Sequence, residues 1–249
     1  MSQHRYFIHL AYKGTNYFGW QVQPNHKSVQ ETIEKALTQM NSNQKVEITG
    51  CGRTDTGVHA SNYYAHFDSA IIIDCDLTRF KLNLMLPSDI AIKSIFPVKE
   101  TAHSRHDAIS RTYQYQIHSL KDPFLSEFSW QLGQKLNLLK INEACEIIKK
   151  HENFESFSKV KTAVNHFNCT IQSISWEETE TGYLFTISAN RFLRSMVRSI
   201  VGTLVEVGLE KITPNDVDLI IRSKNRGSAG KSAPAEGLVL TKIVYPFLP

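Results

Sequence analysis

One order of elements occurs twice in this chain, and it restricts the fold more than any single motif does. Tyr6, Ile8, Leu10 and Tyr12 alternate with Phe7, His9 and Ala11, the period of a strand. Ser28 followed by Glu31 has the form of a capping box. Behind it Val29, Ile33, Ala36, Leu37 and Met40 share one helical stripe. Val46 and Ile48 open a second strand, residues 63–67 a third, 77–86 a helix and 90–98 a fourth strand. The second half repeats the pattern. Residues 111–119 read as a strand and 140–150 as a helix; 170–177 and 183–190 form a hairpin around Thr181-Gly182. Phe192, Met196, Val197, Ile200, Val201, Leu204 and Val205 predict a helix, Pro214 starts a shorter one, and residues 237–245 close as a strand. Strand–helix–strand–strand–helix–strand, used twice, predicts an α+β fold of two lobes with antiparallel sheets flanked by helices, not a doubly wound parallel sheet. The lobes are expected at residues 1–104 and 105–249.

At 249 residues the chain has room for both lobes and their cores. Its 41% hydrophobic content excludes a disordered chain. The first residues lack the apolar core of a signal peptide, and the longest aliphatic run, near Ala70 to Ile73, is far shorter than the roughly 20 residues a membrane helix needs. Cys51, Cys75, Cys145 and Cys169 form no Cys-x-x-Cys pair, and no His-Glu-x-x-His occurs. A zinc site or disulfide framework is therefore not expected, and the chain reads as cytoplasmic. The net charge of +4 is a weak pointer to an anionic partner. Ten cations face nine acids up to Ser104, and eighteen face fifteen beyond it, so the excess lies mostly in the second half.

Two phosphate-loop candidates fail. Gly50-x-Gly52 has Asp55 where a dinucleotide fingerprint needs its third glycine, and Gly230-Lys231-Ser232 has Asn225 where a Walker loop needs glycine. The unusual loop is Gly52-Arg53-Thr54-Asp55-Thr56-Gly57-Val58-His59-Ala60, a carboxylate beside an arginine between glycines. Asp55 is either the cap of a local turn or a reactive carboxylate held ionised by a nearby cation. A glycosidase would need a second carboxylate, for which Asp107 is the nearest candidate, without support. Tyr113 and Tyr115 share one face of a strand, suited to core packing or to stacking on a base. Arg191, Arg194 and Arg198 recur on one expected helical flank, with Arg198 nearest the apolar stripe. Arg222, Lys224, Arg226 and Lys231 form a basic loop, suited to phosphates or simply solvated.

The Asp55 loop resembles the signature of the tRNA pseudouridine synthase A family. So do Tyr12-Lys13-Gly14-Thr15, Gly19-Trp20-Gln21, Asn83-x-x-Leu86-Pro87 and Ala102-His103-Ser104-Arg105. Arg111-x-Tyr113-x-Tyr115, Asn190-x-Phe192-Leu193-x-x-Met196-Val197-Arg198 and Ala233-Pro234-Ala235-Glu236-Gly237-Leu238-x-Leu240 complete the match, in the family's order. Thr56 stands where the family usually has Ala, and Ser104 replaces the usual Ala of His-Ala-Arg.

The resemblance implies two lobes of pseudouridine synthase type, a positively charged active-site cleft between them, a homodimer, and tRNA as partner. It implies conversion of uridine to pseudouridine at positions 38, 39 and 40 of the anticodon stem-loop, with no cofactor or metal. By it Asp55 is the catalytic carboxylate, acting on C1′, on C6 or through a glycal. Arg198 is its ion-pair partner, Tyr113 stacks on the uracil, Arg53 assists in flipping the nucleotide, and Leu240 shapes the pocket wall. Arg191, Arg194, Arg222, Lys224, Arg226 and Lys231 are expected at the RNA backbone. The competing classes are a non-catalytic tRNA-binding or folding protein on the same scaffold and a glycoside-bond hydrolase that releases uracil.

Overall fold

The alternation from Tyr6 becomes strand β1 (His4–Tyr12) in a computed structural model that describes residues 4–159 and 165–248. Ser28 Oγ accepts the Glu31 N–H at 3.2 Å and starts α1 (Val29–Met40). The Glu31 carboxylate pairs with Lys35 one turn on. A cap contributes about 1 kcal/mol, whereas each fully buried Val, Ile or Leu contributes about 1.5–3 kcal/mol, so burial of Val29, Ile33 and Leu37 decides where α1 sits. Then come β2 (Thr49–Gly50), β3 (His59–Ser69), α2 (Cys75–Met85) and β4 (Ile90–Val98). Asp74 Oδ1 caps α2 by accepting the Leu77 N–H at 2.9 Å.

These elements make the first of two compact units, which comprises the residues up to Ile109 together with those from Leu240 onward. Its strands run β4-β1-β3, with β1 antiparallel to both neighbours and β2 beside β3. Tyr6, Ile8, Leu10 and Tyr12 are buried along one face of β1. On the other face Phe7 lies opposite His66 and Phe96, and its ring meets Tyr245 and Phe247 edge-on.

The second unit is Ser110–Val239. It contains β5 (Ser110–His118), β6 (Trp130–Gln131), α3 (Leu138–Lys149), β7 (Ile171–Glu178), β8 (Gly182–Ala189), α4 (Met196–Gly208) and α5 (Pro214–Ser223). Its strands run β5-β8-β7 in antiparallel pairs, with β6 parallel to β5. Eleven of the thirteen residues of α4 are buried, which makes it the core helix of this unit. The full capping box lies at α5, where Thr213 and Asp216 satisfy each other's backbone donors. Strand β9 (Leu238–Val244) crosses the boundary. The mixed α+β class and the antiparallel pairing agree with the sequence, and no helix among the described residues is long and apolar enough to cross a membrane.

Two expectations need correction. Val46 and Ile48 do not begin a strand, because their N–H groups go to Thr38 Oγ1 at 3.0 Å and Glu34 Oε1 at 2.9 Å, side chains of α1. Helix α4 begins at Met196, not at Phe192. Ser195 has φ 61°, a left-handed conformation that no helix interior accommodates. Arg191 and Arg194 therefore lie in the lead-in segment, off the helical flank that would have joined them to Arg198.

Candidate active site

The Asp55 loop is held from below by the loop that follows β1. Thr54 is buried, its Oγ1 2.9 Å from the Tyr12 hydroxyl and its carbonyl accepting the Trp20 N–H at 3.3 Å. Asp55 is half-buried, and its carbonyl accepts the Val58 N–H at 3.1 Å, closing a turn through Gly57 at φ 78°. The Gly57 N–H reaches the Tyr17 carbonyl at 3.3 Å. Buried His59 accepts the Gly14 N–H on Nδ1 at 3.0 Å, so that nitrogen carries no proton. Beneath the loop, Trp20 stacks on Tyr63 with centroids 4.1 Å apart.

Two glycines permit this contact. A Cβ on Gly14 would lie 2.0 Å from the Val58 carbonyl oxygen, and one on Gly19 would lie 2.3 Å from that of Thr54, with φ +82° besides. Side chains at either position would force the two loops apart. Gly52, inside the signature itself, has nothing within 4 Å of its missing Cβ. Arg53 and Thr56 face solvent on either side of Asp55.

In the second unit Tyr113 and Tyr115 have separate fates. Tyr113 is half-buried, its ring edge-on to Phe192 at 5.2 Å. Tyr115 is wholly buried and donates to the Pro234 carbonyl at 2.8 Å, with its phenol pKa pushed up by burial and then by Glu236. A Cβ on Gly237 would strike the Tyr115 ring at 2.6 Å. Tyr113 is thus the more accessible of the two tyrosines, and Tyr115 supports the chain behind it. Arg198 is half-buried on the first turn of α4. Its Nε donates to the Ala233 carbonyl at 2.7 Å, and its own carbonyl accepts the Ala233 N–H at 2.9 Å.

The cations expected at RNA phosphates divide into groups. Arg191 contacts His166 through Nη1 at 3.1 Å, and Arg194 is exposed. Arg222 lies in the last turn of α5 and pairs with Asp218 at 2.7 Å, and Asp218 also meets His151. Arg226 turns inward, with Nη1 on the carbonyls of Ala229 and Gly230 and Nη2 on Ser232 Oγ. Lys224 and Lys231 are exposed. Leu240 is buried on β9 in the first unit, where its carbonyl accepts from Ser61 Oγ at 3.5 Å.

Sequence reasoning passed over Tyr12, Thr54 and His59 as working parts, although each lies within a quoted motif. It also gave Ser104 no task. Ser104 is wholly buried, donates from Oγ to the Thr49 carbonyl at 2.7 Å and gives its N–H to His66 Nδ1 at 3.2 Å. Its hydroxyl therefore makes a hydrogen bond that an alanine at this position could not. The signal available was a hydroxyl where an apolar residue is usual. That the fold brings His66 and the Thr49 carbonyl to it was not readable.

A family model described as tRNA pseudouridine synthase matches residues 8–107 and 151–246. The chain is 46% identical over 248 residues to the tRNA pseudouridine synthase A of Bacteroides fragilis, covering 99% of this chain and 98% of that protein. It is 46% identical over 251 residues to that of Porphyromonas gingivalis, covering 97% of each chain. To that of Bacillus subtilis it is 35% identical over 239 residues, covering 95% of this chain and 97% of the other. The first matched segment contains the Asp55 loop and the second contains Arg198, with Tyr113 lying between them, and by the family model and these relatives the chain belongs to the tRNA pseudouridine synthase family.

Proposed function

We propose that this chain isomerises uridine to pseudouridine in tRNA, at positions 38, 39 and 40 of the anticodon stem-loop, with Asp55 as the catalytic carboxylate. The C1′–N1 bond breaks, the uracil turns, and C1′ joins C5; C5 loses a proton and N1 gains one. Atoms and charge balance within the nucleotide, so the reaction calls for placed acids, bases and nucleophiles more than for a redox partner. The observation that carries the reading is the Asp55 loop: a carboxylate at the top of a turn fixed by Tyr12, Tyr17, Trp20 and His59. Such fixing matters because reacting groups must be held near their attack geometry. A protein that only binds tRNA has no use for it.

Tyr113, half-buried beside Phe192, is assigned to stack on the uracil, and Arg198 to keep the carboxylate ionised. Exposed Arg53 is assigned to extrude the nucleotide, and Leu240 to the wall of its pocket. Cytoplasmic location and a homodimer complete the proposal. For a second copy the support is the exposed apolar surface of α2 and the turn before it, with Ile71, Ile72, Leu77, Phe80 and Leu84.

Asp55→Asn tests the reading. It should abolish pseudouridine formation on transcribed tRNA and leave tRNA binding within about threefold. Turnover retained by the variant refutes the assignment. Free uracil as the product would instead establish the hydrolase.

A further inference from the structure

Arg226 was expected at the RNA backbone, but its guanidinium faces the protein. It follows Lys224, whose φ of 51° ends α5, and it begins a single 3-10 turn, Arg226–Ser228. From there Nη1 donates to the carbonyls of Ala229 at 3.3 Å and Gly230 at 3.1 Å, and Nη2 to Ser232 Oγ at 3.1 Å. All three acceptors lie on one four-residue stretch of chain. A planar fork whose donors point in fixed directions from separate nitrogens holds such a stretch in one shape; the three donors of a lysine rotate about a single nitrogen and cannot span it in the same way.

The stretch that Arg226 grips is a strap across α4. The Gly230 N–H donates to Thr203 Oγ1 at 3.0 Å, and Ser232 Oγ lies 3.1 Å from Ser199 Oγ. Thr203 and Ser199 are both wholly buried. Between them a Cβ on Gly202 would sit 1.8 Å from the Lys231 carbonyl oxygen, so the strap runs against bare helix backbone. At its far end Ala233 closes the two hydrogen bonds with Arg198, one to the backbone carbonyl and one from Nε. The side chain of Arg198 therefore takes its direction from Ala233, and Ala233 takes its place from the strap.

We propose that Arg226 is a positioning residue for Arg198, acting through residues 229–233 and not through RNA phosphate. The inference rests on the reading of Arg198 given above. It separates two kinds of cation that the sequence could not tell apart, those that meet the polyanion and one that shapes the protein near the reaction.

The test compares Arg226→Gln, Ser232→Ala and Arg198→Gln by kcat and KM for tRNA, with affinity measured across salt concentrations. Arg226→Gln should lower kcat about tenfold. KM should stay within about twofold, and the slope of log affinity against log salt should not change. Ser232→Ala, which removes no charge, should show the same kcat-only loss in smaller degree, and it serves as the readout if Arg226→Gln does not fold. Arg226→Lys should recover little, since the three donors of an ammonium leave one nitrogen and cannot reproduce contacts made from two separate nitrogens of a planar fork. A phosphate contact predicts the reverse: kcat intact at saturation, weaker binding, and a salt slope shallower by about one unit. That result overturns the proposal, as does wild-type kcat in both Arg226→Gln and Ser232→Ala while Arg198→Gln is impaired. Wild-type turnover by Arg198→Gln, which removes the cation, would overturn the reading of Arg198 itself.

Discussion

Gly14→Ala would separate the two loops that hold Asp55, and its effect follows from one distance. The new Cβ would lie 2.0 Å from the Val58 carbonyl oxygen and 2.7 Å from its carbon. An ordinary C···O contact is about 3.3 Å, so the backbones must part by about 1.3 Å. Neither partner is the end of a flexible side chain; both are main chain, and Val58 lies three residues from Asp55. Displacement of a reacting group by about 1 Å costs on the order of 100-fold in rate, or about 2.7 kcal/mol in the barrier. Crowding of this kind destabilises by about 1–3 kcal/mol, too little to unfold a domain of ordinary stability. Gly14 has no left-handed φ, so the effect is contact alone. The control is Gly52→Ala, which lies nearer to Asp55 in sequence yet meets nothing within 4 Å. In single-turnover assays with saturating enzyme, Gly14→Ala should form pseudouridine about 100-fold more slowly and Gly52→Ala within about threefold of the parent. Equal rates for Gly14→Ala and the parent, or equal damage from both substitutions, would refute the account of the loop as positioned by close backbone contact.

Two further outcomes can be measured directly. Burial first, then the charges of Arg5 and His103, lower the pKa of His66 from 6.5 to about 4. The folded ring stays neutral where the unfolded one takes up a proton, so stability is full above about pH 6.5 and falls as the pH drops towards 4, by at most about 3 kcal/mol. Urea midpoints at pH 7 and pH 5 should differ less in His66→Gln than in the parent, and an unchanged difference would exclude His66 as the source. Replacing exposed Lys224 and Lys231 by Glu should weaken tRNA binding and flatten its salt dependence by up to about two units; an unchanged slope would show that both lysines only face solvent.

Much of the scaffold was legible because it rests on local periodicity. The expected strand at residues 90–98 is β4 to the residue, and α2 and α3 begin within about two residues of expectation. The failures are places where a partner distant in sequence overrides local preference. Val46 and Ile48 look like strand until α1 takes their N–H groups. The stripe through Phe192 looks helical until Ser195 turns left-handed. At the site, Asp55 stood out by composition, but its fixing did not. Gly14 meets Val58, and Tyr12 meets Thr54, across more than 40 residues, and a glycine in a sequence does not say whose backbone it admits. Arg226 is the same lesson in charge. Four cations within ten residues look alike until their acceptors are known.

The crossing of β9 also bears on how the protein is made. The second unit is continuous, so all of it can leave the ribosome before the first unit has its last pieces. Those pieces are not ornamental: Ile109 donates to the Val244 carbonyl at 2.8 Å, Tyr245 donates to that of Ser104, and Tyr245 and Phe247 close the aromatic cluster on Phe7. Until they emerge, Phe7 and the part of the sheet around it lack a cover. The unit that carries Asp55 begins first in synthesis and is completed last, so a nascent chain can hold its basic strap and core helix in place while the carboxylate loop still sits on an unfinished sheet.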